Sequence, residues 1–316
     1  MATRVDSDNI VEDEAARAGW LYYNGGLTQD QIAAELGVSR QRAQRLVARA
    51  ISDGLIRVRI EHPITECLEL ERSLRRKYGL RLCRVAPSLT EGVDPIKAIA
   101  PVAAGELERI FSVPEPLVIA LGTGRTLRSV VDELRPMDCS HHKVVSLIGN
   151  VAPDGSASFF EVIMRIADKT RAPHYPMAVP VIAKDPADRE HYHALPHVLN
   201  TRELAKSADV TIIGIGQLGD DAPLYVDGFV TKNELQKLTE AGAIGELAGW
   251  AFDGNGQYLD LGINRLVNGV CVPQNDNPII CIAAGQNKQR PLLAALKGKL
   301  FDGLVTDETT AKFLLK

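Results

Sequence analysis

The sequence predicts an α/β protein in which an N-terminal helix-turn-helix domain precedes a Rossmann-like domain with a mostly parallel sheet. Two textures carry this reading. Residues 27–56, LTQDQIAAELGVSRQRAQRLVARAISDGLI, hold two short helical patterns that meet across a three-residue turn. From Leu80 onward, apolar runs alternate with amphipathic segments, and several of the runs end in glycine, as buried strands joined by helices do. The textures change near Pro63, so the expected domains are residues 1–62 and 63–316, and the chain length suits about two domains.

Asp6, Asp8, Glu12, Asp13 and Glu14 open the chain as a solvated head and the first turn of a supporting helix that runs to about Tyr23. Thr28 stands where an N-cap belongs, and Gln31, three residues on, closes a capping box. Gly37 ends that helix in the left-handed conformation, Val38 plugs the angle, and Ser39 caps the next helix, which Asp53-Gly54 ends. On this second helix Ala43, Leu46, Val47, Ala50 and Ile51 form the expected buried stripe. Gln41, Gln44, Arg45 and Ser52 then point outward, flanked by Arg42 and Arg49. Amides suit adenine edges, and guanidiniums suit guanine or phosphate. No carboxylate precedes Asp53, so the helix reads as a recognition helix for double-stranded DNA, with Ser39, Arg40, Gln41, Arg42, Gln44 and Arg45 as its candidate contacts. An ordinary amphipathic helix with a solvated basic face is the plainer alternative. The formal net charge is −4, yet residues 40–59 hold six arginines against one acidic residue, so the positive charge is local. Residues 55–60 alternate apolar and basic like a short strand or wing.

Residues 64–78 read as a helix that either pairs subunits or packs inside the second domain. Beyond it the expected strands are residues 80–86, 117–121, 143–148, 177–183, 210–215, 279–284 and 304–306. Helical patterns lie at 126–134, 158–168, 201–207, 233–241 and 292–296. In such a sheet ligands bind beyond the carboxyl ends of the strands. There Gly122-Thr123-Gly124-Arg125-Thr126 brings bare backbone N–H groups, hydroxyls and a helix start to one place, which is a phosphate cradle in form, though tight strand-to-helix turns use glycine for packing too. Gly149-Asn150 and Gly216-Gln217 end further strands, and Lys288 follows the Gly285 turn. Glu246 sits in a segment too apolar for an unpaired carboxylate, so a cationic neighbour or a hydroxylated ligand should meet it.

Five cysteines, at 67, 83, 139, 271 and 281, form no C-x-x-C pair and are odd in number, which argues against a zinc site and a disulfide framework and for a reduced cytoplasmic setting. No basic-then-apolar leader and no apolar run of membrane-spanning length appears. His141, His142, His191 and His193 form no spacing that demands catalysis and read as loop residues.

Taken together, GVSRQRAQRLVARAISDGLI, GTGRTL at 122–127, ADVTIIGIG at 208–216, AGAIGELAGWAFDGNG at 241–256 and the ending from AAGQNKQRP onward resemble the SorC family of bacterial sugar-binding transcriptional regulators, over nearly the whole chain. The resemblance implies a DNA-binding head joined to an effector domain similar to sugar-phosphate isomerases and deaminases, in a homo-oligomer, usually a tetramer. It implies that Gly122 to Thr126 hold the effector's phosphate or terminal hydroxyls and that Glu246, Asp253 and Lys288 line the sugar site. A neutral polyol would draw on Glu246, Asp253 and Asn150. The segment SFFEVIMRI at 158–166 departs from the small, polar, asparagine-containing helix start that the family pattern leads one to expect, and SRQRAQR replaces the commoner proline- and threonine-containing recognition-helix start. The expected function is operator binding controlled by a sugar phosphate or sugar alcohol, without cofactor, metal or membrane. The alternative is an isomerase or deaminase, which would need a general base beside the substrate carbon, a role open to Glu246 or Asp253.

Overall fold

The computed structural model describes residues 3–56, 64–152, 155–156 and 162–316. The chain divides into two units, residues 1–62 and 63–316.

In the first unit, helices α1 (Thr3–Tyr23), α2 (Gln29–Leu36) and α3 (Arg40–Ser52) enclose a small apolar core. The punctuation does what its chemistry dictates. Thr28 and Gln31 make the reciprocal capping box, and Gly37 ends α2 at φ 64°, where a side chain would be strained. Ser39 Oγ accepts the Arg42 N–H at the start of α3. Ala43, Leu46, Val47 and Ala50 are buried against Ala15, Ala18 and Ile32. Ile51 departs from the expected stripe: it is 48% exposed, in the last turn of α3, where the buried face runs out. The wing expected at 55–60 falls largely on residues 57–63, outside the described residues; Leu55 and Ile56 precede them without strand structure.

The second unit opens with α4 (Thr65–Tyr78), which buries Cys67 and Leu74 and lies against the first strand and the C-terminal helix. It is therefore a packing helix of this unit. Strands β1 (Leu82–Ala86), β2 (Val118–Leu121), β3 (Lys143–Val151), β4 (His174–Pro180) and β5 (Val210–Ile213) alternate with α5 (Ile96–Phe111), α6 (Arg125–Glu133), α7 (Val162–Thr170), α8 (Pro186–Ala194) and α9 (Pro196–Lys206). After β5 come β6 (Gly216–Gln217), α10 (Pro223–Val226), α11 (Lys232–Glu240), β7 (Ala243–Leu247) and β8 (Trp250–Asp253). The chain ends with β9 (Ile279–Ile282), α12 (Gln289–Lys297), β10 (Gly303–Asp307) and α13 (Glu308–Leu315).

Seven strands form one sheet in the order β1-β10-β9-β5-β2-β3-β4, and every pairing in it is parallel. Side chains alternate between its two faces: Ile119 and Leu121 join α5, α6 and α7 on one, while Ala120 joins α4, α9, α12 and α13 on the other. All seven expected strands are these seven, with ends shifted by up to a few residues. The sequence reading lacked α5, α8, α10, α13 and the antiparallel sheet β6-β7-β8. An interior proline, Pro101, masks α5. Its alanine-rich face nevertheless covers the sheet, with buried Glu106 bonded to Arg84 and Arg109, and buried Glu108 bonded to Arg135. The helix expected from 158 begins, among described residues, at Val162.

Two of the four histidines, His141 and His142, lie in the turn before β3 as expected, and two do not. His142 is buried, its Nδ1 accepting the Leu117 N–H, and His191 and His193 lie on α8. Arg189, His193 and Arg202 converge on the carbonyls of Val267, Asn268 and Gly269, a segment that itself bonds to Val181 and Leu147. Burial, followed by the charges of Arg202 and Arg189, pushes the His193 imidazole down to about 4. The fold thus favours neutral His193, so its contribution is intact above the ordinary value of 6.5 and is lost as pH falls toward 4. Melting temperature measured across that window should fall less steeply for His193→Gln than for the parent.

Candidate functional site

On α3 the six candidate contacts divide into two groups. Arg40 pairs with Asp30 at 3.3 Å and Arg42 with Glu14 at 2.7 Å, while the Ser39 hydroxyl is committed to the helix start. Gln41, Gln44 and Arg45 are exposed and have no side-chain partner among the described residues. Exposed ion pairs contribute at most about 1 kcal/mol, so phosphates can compete for Arg40 and Arg42. The trio presents two amides and a guanidinium, the groups that can pair with base edges.

In the second unit a cavity of about 330 Å³ opens at the carboxyl ends of β9, β5, β2 and β3, which are neighbours in the sheet. Gly122, Thr123, Gly124, Arg125, Thr126, Gln217, Glu246 and Lys288 all line it. Gly149 and Asn150 line a separate annex of about 10 Å³ that shares Gly122, Thr123 and Ile148 with the main cavity. Asp253 lies in neither. Its Oδ1 accepts the N–H groups of Asn255 and Gln257, both at 2.9 Å, so the carboxylate holds the turn after β8 and the expected sugar contact is corrected to a structural one.

The walls also include residues absent from the sequence reading. Asp94 precedes the unforeseen α5 and its Oδ1 accepts the Ile96 N–H at 2.9 Å; Asp227 follows the short α10 and binds Arg125 at 2.7 Å. A signal for Asp94 existed in Asp94-Pro95, a helix-start dipeptide. Nothing local marked Asp227. The starts of α5 and α6 and the Gly285 turn leading into α12 all contribute residues to this cavity, so backbone N–H groups of helix starts lie near it.

Glu246 and Lys288 are the polar floor. Lys288 Nζ donates to the Ile215 carbonyl at 2.8 Å and to Gln217 Oε1. Burial pulls its ammonium below the usual lysine range, opposed by the charge of Glu246. Burial likewise pushes the Glu246 carboxyl up, opposed by the Gly249 N–H at 2.7 Å and by Lys288. The carboxylate thus meets both a backbone donor and a nearby cation, as its apolar segment requires. Space for it comes from Gly216, its partner across β6 and β7: a Cβ there would stand 1.9 Å from Glu246 Oε1. The cavity's described walls carry two cations, Arg125 and Lys288, three carboxylates, Asp94, Asp227 and Glu246, and no histidine or cysteine.

Comparison with known proteins adds the following. Residues 62–316 match the Sugar-bind family model, a sugar-binding domain, and residues 18–63 match a MarR family model. The chain is 35% identical over 311 residues to the erythritol catabolism regulatory protein EryD of Brucella abortus, covering 98% of each. It is 30% identical over 317 residues to the transcriptional regulator LsrR of an Enterobacter species, covering 97% of this chain and 94% of that one. The full-length sorbitol operon regulator SorC of Klebsiella pneumoniae superposes with a TM-score of 0.71 at 27% identity, over 96% of this chain and 98% of that one.

Gly216→Ala should lower the unfolding free energy by about 1–3 kcal/mol in urea titration, because the added methyl evicts the Glu246 carboxylate. Gly214→Ala is the control: its nearest neighbour would be 3.9 Å away, so it should be close to neutral.

Proposed function

The chain belongs to the SorC family of sugar-binding transcriptional regulators, and from that premise we propose that α3 reads operator DNA while the second unit's cavity takes a sugar alcohol or its phosphate. The protein is a regulator rather than an isomerase or deaminase, as its relatives are. No helix among the described residues is long and apolar enough to cross a membrane, and a regulator of operators works in the cytoplasm.

The observation that carries the effector reading is the convergence of loop 122–126, Glu246 and Lys288 on one cavity at the strand ends. Two relatives are named for erythritol and for sorbitol, which directs attention to polyols. A terminal phosphate would sit at the backbone N–H groups of 122–126 and the helix starts, with Lys288 and Arg125 as its cations. Hydroxyls would be met by Glu246 and Gln217. The ligand acts by binding one state of the oligomer better than the other.

We further propose a homo-oligomer, a tetramer by family resemblance, because a single head with three free polar side chains on its reading face has little affinity alone. Linking heads makes the second contact intramolecular, and the operator should then hold inverted half-sites about one or more helical turns apart.

Gln44→Ala and Arg45→Ala should each weaken operator binding by about 1–3 kcal/mol and relax preference at one base pair, leaving the response to effector intact. Equal binding of operator and random DNA by both variants and the parent, in mobility-shift titration, would contradict the recognition assignment. For the cavity, calorimetric titration of erythritol, sorbitol and their monophosphates into Lys288→Ala and Glu246→Ala separates the ligand classes. A phosphate ester should lose most from the lysine change and weaken as salt rises. An uncharged polyol should lose most from the glutamate change.

A further inference from the structure

We propose that Asp227 is a built-in competitor of the effector's phosphate: its carboxylate pairs with Arg125, a phosphate dianion binds by displacing it, and Asp227 thereby sets the ligand concentration at which the regulator responds. This rests on the reading of loop 122–126 as the phosphate end of the effector site. The described walls of the cavity carry two cations, Arg125 and Lys288, against three carboxylates, Asp94, Asp227 and Glu246. A dianion added to that set meets an excess of negative charge unless one carboxylate withdraws.

Of the three carboxylates, Asp227 is the one free to withdraw. Glu246 accepts the Gly249 N–H at 2.7 Å, and Asp94 accepts the Ile96 N–H at 2.9 Å. Asp227 instead stands at the C-cap of α10, where a helix presents carbonyls rather than N–H groups. Among the described residues its carboxylate has Arg125 as its partner, at 2.7 Å. Both side chains reach solvent, the arginine 45% and the aspartate 20% exposed, so opening the pair costs little and the displaced carboxylate has water to enter. The backbone need not follow, because Leu224 and Val230 on either side are buried in a small core and Gln217 Nε2 holds the Asp221 carboxylate at 3.0 Å. Arg125 is the cation open to exchange. Lys288 is committed to the Ile215 carbonyl and to Gln217, whereas Arg125 follows Gly124 on the cradle loop itself, as the first residue of α6. Guanidinium–phosphate pairs are charge-assisted and can be bidentate. The exchange therefore favours a dianion over the carboxylate it replaces, and it offers a neutral polyol nothing.

The experiment titrates inorganic phosphate, the monophosphates of erythritol and sorbitol, and the two unphosphorylated polyols into the full-length parent, Asp227→Asn, Arg125→Gln and the double variant by calorimetry. Melting temperatures check that the variants fold, and Asp227→Ala serves if Asp227→Asn does not. Asp227→Asn should tighten the phosphates by about 3- to 30-fold, from loss of an exposed ion pair at the low end to relief of like-charge repulsion at the high end. The neutral polyols should gain nothing. In the Arg125→Gln background the same change should gain clearly less than it does in the parent. If Asp227→Asn leaves phosphate affinity unchanged or weakens it, the carboxylate does not compete and the inference falls, with the phosphate reading of the loop intact. If the gain is as large without Arg125, Asp227 acts through net charge and the displacement is refuted. If the neutral polyols gain as much as the phosphates, the competition is not with an anion and the inference fails. If neither the parent nor Asp227→Asn binds any of the phosphates, the phosphate reading of loop 122–126 is wrong and the inference goes with it.

Discussion

Parallel pairing throughout the seven-stranded sheet is the constraint on which the site depends. Because every strand points the same way, every carboxyl end and every following helix start lies at one edge. β2 and β5 are neighbours, yet from β2 the chain proceeds toward β3 and from β5 toward β9, on opposite sides. Their connections diverge and leave a crevice, the switch point at which open α/β sheets bind ligands. Loop 122–126, Gly214 and the Gly285 turn meet there as a consequence of strand order, before any side chain contributes.

The same constraint explains which parts of the molecule were legible in the sequence. The central strands, buried on both faces, read as apolar runs, the edge strands β1 and β4 kept enough apolar residues to be visible too, and capping chemistry marked α2 and α3 residue by residue. The small sheet β6-β7-β8 was not legible because β6 is two residues long and β7 alternates around glycine, giving neither a run nor a clear period. Among site residues, those on strand-to-helix turns announced themselves through glycine. Asp227 did not, since its place at the cavity is set by the fold of the β6-α10 segment and by Arg125 from a distant loop. Asp253 misled because a carboxylate that accepts two backbone N–H groups in a turn has the same sequence appearance as one that faces a ligand.

The buried charges of the cavity floor, Glu246 and Lys288, are held at some cost. Burial works against the charged form of both groups, pulling Lys288 down and pushing Glu246 up, and the Gly249 N–H and the attraction between the two oppose it. Removing either partner leaves the other as an uncompensated buried charge, which costs far more than an exposed pair contributes. The pair is therefore a polar floor whose members depend on each other. Its groups are already oriented and partly desolvated, so a hydroxylated ligand encounters a site that needs little reorganisation. The Arg125–Asp227 pair at the wall is of the opposite kind: the arginine is exposed enough for water to screen it, and exchange of that carboxylate for a ligand's anionic group costs little.

For such a ligand to control DNA, affinity alone is insufficient. A compound bound equally by both states shifts nothing, and moving a population from one part in a hundred to ninety-nine requires a differential of about 5.5 kcal/mol. One polyol seldom supplies that from a single cavity, since each neutral hydrogen bond contributes about 1 kcal/mol net. A symmetric oligomer removes the difficulty, because every occupied cavity biases the same equilibrium and the differentials add. The recognition helix sets a matching requirement from the other side. Of the six candidate contacts, Arg40 and Arg42 are engaged by Asp30 and Glu14, and Gln41, Gln44 and Arg45 have no side-chain partner among the described residues, which under the proposed assignment makes one head a weak reader. Weak heads make binding depend steeply on whether two can engage together, and modest effector energies become decisive when they act on that geometry rather than on the contacts themselves.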